Sequence, residues 1–167
     1  MPHDDVHFIC IPQAEDSLAK TFKYVNMKYS QYFNRKIGAG GHLFQGRFYS
    51  CVMDEMHLYR CVRYIERNPV RAKMVRKALK YEWSSARVHC GIVKDDALKT
   101  SQLFNYIEGN EKGWQKYIDE RDNPKDMESI KQNTMRGSVI GDLKFITKLE
   151  KQLNRTLTIR EKGRPKK

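Results

Sequence analysis

Apolar and polar positions along this chain change period several times, and each change marks an element. Val6-His7-Phe8-Ile9-Cys10-Ile11 is short, β-branched and aromatic, and it ends at Pro12, which has no N–H to give a ladder; the run predicts a buried strand. Asp16 or Ser17 then offers an N-cap, and Leu18, Phe22, Val25, Tyr29, Tyr32 and Phe33 follow at spacings of three and four. That spacing predicts an amphipathic helix to about Asn34, ended by the turn Gly38-Ala39-Gly40-Gly41. His42 to Met53 is rich in Phe, Tyr and Val and predicts a second strand. Asp54 caps another helix, with Leu58, Cys61, Val62 and Ile65 on its apolar side, and Pro69 stops it near Asn68. Leu79 to Val88, with Tyr81 and Trp83, reads as a packed turn and a short helix.

From about Asp95 the apolar pattern thins. Asn, Glu, Lys and Asp dominate, with short helical patterns at 112–121 and 142–153, and we place a boundary there. Residues 160–167 carry no apolar side chain beyond a proline and are expected to stay disordered until a partner binds. The organisation read this way is a domain over 1–95, a helical extension over 96–159 and a basic tail over 160–167.

Charge sharpens the picture. The 167 residues carry a net charge of +12, with apolar types at 40%, so a single globular core is expected. Arg60 to Lys80 holds eight basic residues against Glu66, and Lys151 to Lys167 holds seven against Glu161; the remainder is close to neutral. Clustering of this kind points to a polyanion, and to nucleic acid before membrane, because neither segment has the continuous apolar face of an interfacial helix. A solvated basic face is the alternative reading. No apolar run approaches the roughly 20 residues that cross a bilayer, and Met1-Pro2-His3-Asp4-Asp5 lacks the regions of a signal peptide. Cys10, Cys51, Cys61 and Cys90 form no C-x-x-C pair and read as reduced thiols, mostly in the core. The expected location is the bacterial cytoplasm, at the nucleoid, with no membrane partner.

Five blocks then stand out: Val6-His7-Phe8-Ile9, Tyr29-Ser30-Gln31-Tyr32-Phe33-Asn34, Gly41-His42-Leu43-Phe44-Gln45-Gly46-Arg47-Phe48, Arg63-Tyr64-Ile65-Glu66-Arg67-Asn68-Pro69-Val70-Arg71-Ala72, and Trp83-Ser84-Ser85. In kind and order they resemble REP-associated and related one-tyrosine transposases, over residues 1 to about 91 and more loosely in the tail. The resemblance implies an α/β (α+β) fold, a ferredoxin-like antiparallel sheet with packed helices, here incomplete at the N-terminus and followed by a small helical extension. It also implies an enzyme that binds single-stranded or hairpin DNA and cleaves and rejoins it through a covalent 5′-phosphotyrosine.

The residue chemistry agrees with that implication. Tyr64 and Asn68 are four apart, so on one helix both emerge on the same face. A phenol can attack phosphorus and keep the bond energy for rejoining, but with an ordinary pKa of about 10 it needs a cation beside it. The family holds Mg²⁺ or Mn²⁺ between two histidines on a strand and a polar side chain one turn after the tyrosine. His7 matches the second histidine and Asn68 the helix ligand, while Asp5 stands where the first histidine is expected; a carboxylate suits a hard cation, and His3 is the other candidate. Read without the blocks, Tyr64 is a core or boundary residue and Asn68 a helix stop.

Arg63, Arg67, Arg71, Lys73, Arg76 and Lys77 surround the proposed nucleophile and are the expected phosphate contacts. Gln45 and Arg47, with Phe48 and Tyr49, are candidates for stacking on or bonding to bases, against the alternative of a half-buried strand. Lys162-Gly163-Arg164-Pro165 resembles an AT-hook core that would place Arg164 in a minor groove, against a generic basic tail. The family has a strand and a helix before the histidine strand, and this chain begins almost on the motif. The expectation is therefore a shortened sheet whose edge a second copy completes as a homodimer, or a catalytically inactive descendant that only binds DNA.

Overall fold

The computed structural model describes residues 6–46, 48–98, 103–104 and 109–157. They fall into two compact units, one of residues 8–49 and one of residues 1–7 with 50–167. The smaller unit is built on α1, Ser17–Ile37, whose apolar spacing is the one the sequence predicts. Gly38 ends it in the left-handed region at φ 66°, where a side chain would be strained, and donates its N–H to the Asn34 carbonyl. The Asn34 side chain then holds the glycine turn by donating to the Gly41 carbonyl at 2.9 Å. Aromatic rings close this unit: Phe22 lies 5.4 Å from Phe8 and 5.1 Å from Phe48, and Tyr29 is 6.4 Å from Phe44.

The larger unit carries the core. Its helices are α2 (Glu55–Glu66), α3 (Asn68–Arg71), α4 (Ala86–His89), α5 (Glu111–Asp119), α6 (Pro124–Arg136) and α7 (Leu143–Leu153), with a 3₁₀ turn at Ala78–Lys80. Val62, Ala78, Ala86, Cys90, Leu103, Trp114 and Ile118 bury together, so α2, the 3₁₀ turn, α4 and α5 share one cluster that runs across the 95/96 position. A second cluster of Cys61, Ile130 and Ile140, with Tyr64 packed at its side, fixes α6. The start of α6 is written in Asn123, whose side chain accepts from the Lys125 N–H, and in Pro124 at the first helical position.

The ferredoxin-like antiparallel sheet is not formed. Among the described residues the chain has seven helices and two strands of two residues each, β1 (Val52–Met53) and β2 (Val139–Ile140). They pair in parallel, Val52 opposite Val139 and Met53 opposite Ile140. The expected strand over Val6–Ile11 is irregular, and so are the described residues of His42–Cys51; Phe8 is 60% exposed. Composition supplies only half of a strand. Without a neighbour offering its N–H and C=O groups, a β-branched run has nothing to pair with. The expected continuous helix through Tyr64 and Asn68 is also interrupted: Arg67 ends α2 and Asn68 opens α3, with Pro69 in its first turn.

Asp54 joins two elements. Its carboxylate accepts from the His57 N–H at 2.8 Å, from the His57 ring at 2.6 Å and from the Asp142 N–H at 3.0 Å, tying the cap of α2 to the start of α7. Burial pushes this carboxyl up, but the bonds from His57 and Asp142 outweigh it and hold it below the ordinary 3.8. A lowered folded-state value stabilises the protein above the ordinary value, and that stability is lost as pH falls through the lowered one. Asp54→Ala is expected to cost about 1 kcal/mol at neutral pH, as lost caps do, and urea midpoints should show its deficit shrinking below pH 4 or so. A deficit that stays constant down to pH 2 or so would contradict the assignment.

All four cysteines are free. Burial pushes the Cys61 thiol up to about 12 and Cys51 and Cys90 up to about 11, so these three are protonated and inert at neutral pH. Cys10 is exposed, against the core role expected for it. Among the described residues no helix is long and apolar enough to cross a membrane.

Candidate nucleic-acid interface

The basic run from Arg60 to Lys80 divides into an inner and an outer set. Arg63, Arg67 and Arg71 recur every fourth residue along α2 and α3 and so form one row, and that row faces the end of α5. A helix C-terminus leaves its last carbonyls unpaired and carries partial negative charge. Arg63, 5% exposed, donates to the carbonyls of Tyr117 at 2.7 Å, Glu120 at 2.7 Å and Arg121 at 3.0 Å, and its guanidinium lies 4.7 Å over the Tyr117 ring. Arg67 donates to Asp122 at 2.8 Å and to the Ile118 carbonyl. Asp122 also faces Arg63 at 3.5 Å and Arg71 at 3.7 Å. Arg60 pairs with Asp126 at 3.3 Å and donates to the Tyr59 hydroxyl at 2.9 Å.

These arginines were expected to meet phosphate. Arg63 and Arg67 instead hold α5 against α2, because their guanidinium groups are already engaged by carbonyls at the end of α5 and by the Asp122 carboxylate. The geometry moves both out of the phosphate-contact set and into the fold.

Arg71 serves the tyrosine. Its guanidinium sits 4.2 Å over the Tyr64 ring and donates to the Tyr64 carbonyl, while its Nη1 is buried with no hydrogen-bond partner. Burial pulls this guanidinium below its ordinary value, partly offset by the charge of Asp122 and by Tyr64. The His7 ring meets Tyr64 edge-on, with centroids 6.4 Å apart at 73°. His7 and Tyr64, far apart in sequence, are therefore brought together. Asn68 stands one turn on, beyond the break at Arg67, half-buried.

Asp5 lies outside the described residues, as do Arg47 and Arg164. Among the described residues no group of three His, Cys, Asp or Glu side chains could hold a metal ion. One imidazole and one carboxamide oxygen are too few protein donors to place Mg²⁺ or Mn²⁺, so the fit of either ion turns on a third donor, Asp5 or His3, both outside the described residues.

The outer set is Lys73, Arg76, Lys77 and Lys80. Lys73 adopts the left-handed region at φ 59°, and the Met74 N–H bonds back to the Pro69 carbonyl at 2.9 Å, which turns the chain off the end of α3. Lys77 then precedes the 3₁₀ turn and Lys80 ends it, with the Lys80 N–H on the Lys77 carbonyl at 3.0 Å. Ala78, between them, is buried in the core. All four basic side chains are exposed, and none has an ion pair among the described residues. Gln45 is exposed in an irregular stretch of the smaller unit.

Two groups had no role in the sequence expectations, and a third has a different one. Asp122 collects the arginine row, and the four-residue spacing of that row was its only signal. Glu66 is 0% exposed and accepts from the Ser85 hydroxyl at 2.6 Å, the His89 ring and the Trp114 indole N–H at 2.9 Å. Trp83, expected to pack, is 83% exposed. No protein-family model matches this chain, and no curated protein or solved structure gives a significant match to it.

Proposed function

We propose that this protein is a transposase-like, single-stranded or hairpin DNA-binding protein of one-tyrosine transposase type, with Tyr64 as the nucleophile of strand cleavage. The observation that carries this reading is that residues of different family-like blocks meet one another. His7 lies against Tyr64, Asn34 bonds to Gly41, and Glu66 accepts from Ser85. Sequence blocks that are unrelated coincidences have no reason to be paired in this way.

In the reaction this reading takes, the Tyr64 hydroxyl oxygen bonds to phosphorus, the bond to the leaving 3′ oxygen breaks, and that oxygen takes up a proton. Mg²⁺ or Mn²⁺ is the cofactor class, with His7, Asn68 and Asp5 as the donors; when bound, such a cation supplies polarisation of the phosphate. Lys73, Arg76 and Lys77 are the phosphate contacts, joined by Lys80. Arg71 is a positioning residue, since its guanidinium holds the Tyr64 ring from one side.

A second reading, binding without cleavage, rests on Asp5 standing where the resemblance expects the first histidine. The test is incubation of the full chain with end-labelled hairpin DNA and Mn²⁺, followed by denaturing electrophoresis. A protein–DNA adduct that disappears in Tyr64→Phe is expected. Absence of any adduct, with DNA still bound, would select the binding-only reading, and an adduct retained by Tyr64→Phe would remove Tyr64 from the chemistry.

A further inference from the structure

Trp83 is the most exposed of the large apolar side chains in the described part of the protein, at 83%. Exposed apolar side chains on mobile loops need no explanation, but this one is fixed from both sides. Behind it, the Tyr81 N–H bonds to the carbonyl of buried Ala78 at 3.0 Å. Ahead of it, the Ser84 hydroxyl accepts from the Ala86 N–H at 3.2 Å, and the Ser85 hydroxyl is locked at 2.6 Å onto the wholly buried Glu66. The indole makes no ring contact among the described residues. The ring is exposed on a stretch of backbone that is hydrogen-bonded on both sides.

Its neighbours in the chain are the outer basic set. From Lys73 to Trp83 there are four cations, Lys73, Arg76, Lys77 and Lys80, against Glu82 alone, all of them exposed. We propose that Trp83 is a base-stacking platform for single-stranded DNA, with Lys77 and Lys80 on the adjoining phosphates. An exposed flat ring within a few residues of exposed cations suits a single strand, because an unpaired base offers its face while its phosphate offers charge. A duplex keeps its bases stacked on each other and can use only the lysines. Pre-fixing the ring reduces the ordering cost on binding. The inference rests on the DNA-binding reading and adds how the site would select single strands.

The chain has two tryptophans, and the other, Trp114, is 4% exposed and bonded to Glu66, so a change in emission on binding reports Trp83. The experiment titrates the full chain with oligothymidylate and, separately, with a blunt duplex of equal length, following tryptophan emission and the anisotropy of a label on the DNA. Expected are saturable quenching with the single strand, none with the duplex, and a loss of single-strand affinity in Trp83→Ala of about 5- to 150-fold, with Trp83→Phe retaining part of it. Thermal unfolding of Trp83→Ala should stay close to the parent, since the side chain is 83% exposed. Single strand bound without quenching, and equally well by Trp83→Ala, would overturn the platform and leave the DNA-binding reading standing. No binding of either DNA at low salt would overturn both.

Discussion

Arg63→Ala is expected to destabilise the protein by about 3–5 kcal/mol, close to the whole margin of many small domains. The truncation leaves the carbonyls of Tyr117, Glu120 and Arg121 without their donor at a part-buried helix end, and it removes one cation from Asp122. An unpaired buried carbonyl costs about 1–3 kcal/mol, and partial hydration of the gap keeps the total below a simple sum. Packing on the Tyr117 ring is lost as well. Lys77→Ala, at an exposed position with no ion pair, should stay within about 0.5 kcal/mol of the parent. Urea unfolding followed by circular dichroism checks the contrast. Equal midpoints for the two variants would mean that the inner and outer sets are not distinct.

The reason for that contrast was not legible in the sequence. Counting Lys and Arg between residues 60 and 80 gives charge but not partners, and Asp122 lies 55 residues beyond Arg67. What could be read was local. The Asp54 cap and the spacing of Leu58, Cys61, Val62 and Ile65 placed α2, the period of Leu18 to Phe33 placed α1, and the pattern over 142–153 placed α7. Helices are written in near neighbours through caps and a 3.6-residue period, so they survive without knowledge of the rest.

Strands are not written that way. Val6–Ile11 has the composition of one and does not form it, while Val52 pairs with Val139, a partner no local pattern could name. The antiparallel sheet was an expectation carried by the resemblance to a family, and the described residues do not make it. Trp83 shows the same limit at a candidate site. Its aromatic character suggested packing, and only the anchoring of Ser85 on Glu66 reveals that the chain turns the ring outward.

Splitting the basic run also changes what the charge is for. Of its eight cations, Arg60, Arg63, Arg67 and Arg71 are spent on Asp126, Asp122, carbonyls and the Tyr64 ring. Lys73, Arg76, Lys77 and Lys80 remain for a partner. Each phosphate neutralised on a single strand releases counterions and contributes about 0.7 to the slope of log K against log salt. Changing all four to Gln should therefore lower that slope by up to about 3 units, and at physiological salt it should weaken binding by two orders of magnitude or more. The fold should be unaffected, because these side chains lie outside the arginine row.

The most direct measurement is the affinity of the full chain and of the Lys73→Gln, Arg76→Gln, Lys77→Gln, Lys80→Gln variant for a labelled DNA hairpin with a single-stranded tail, taken by anisotropy across a salt series. Steep salt dependence in the parent, a slope flattened by up to about 3 in the variant, and coincident thermal unfolding of the two proteins are the predicted results. An unchanged slope in the variant, or a parent that binds no DNA at low salt, would contradict the account.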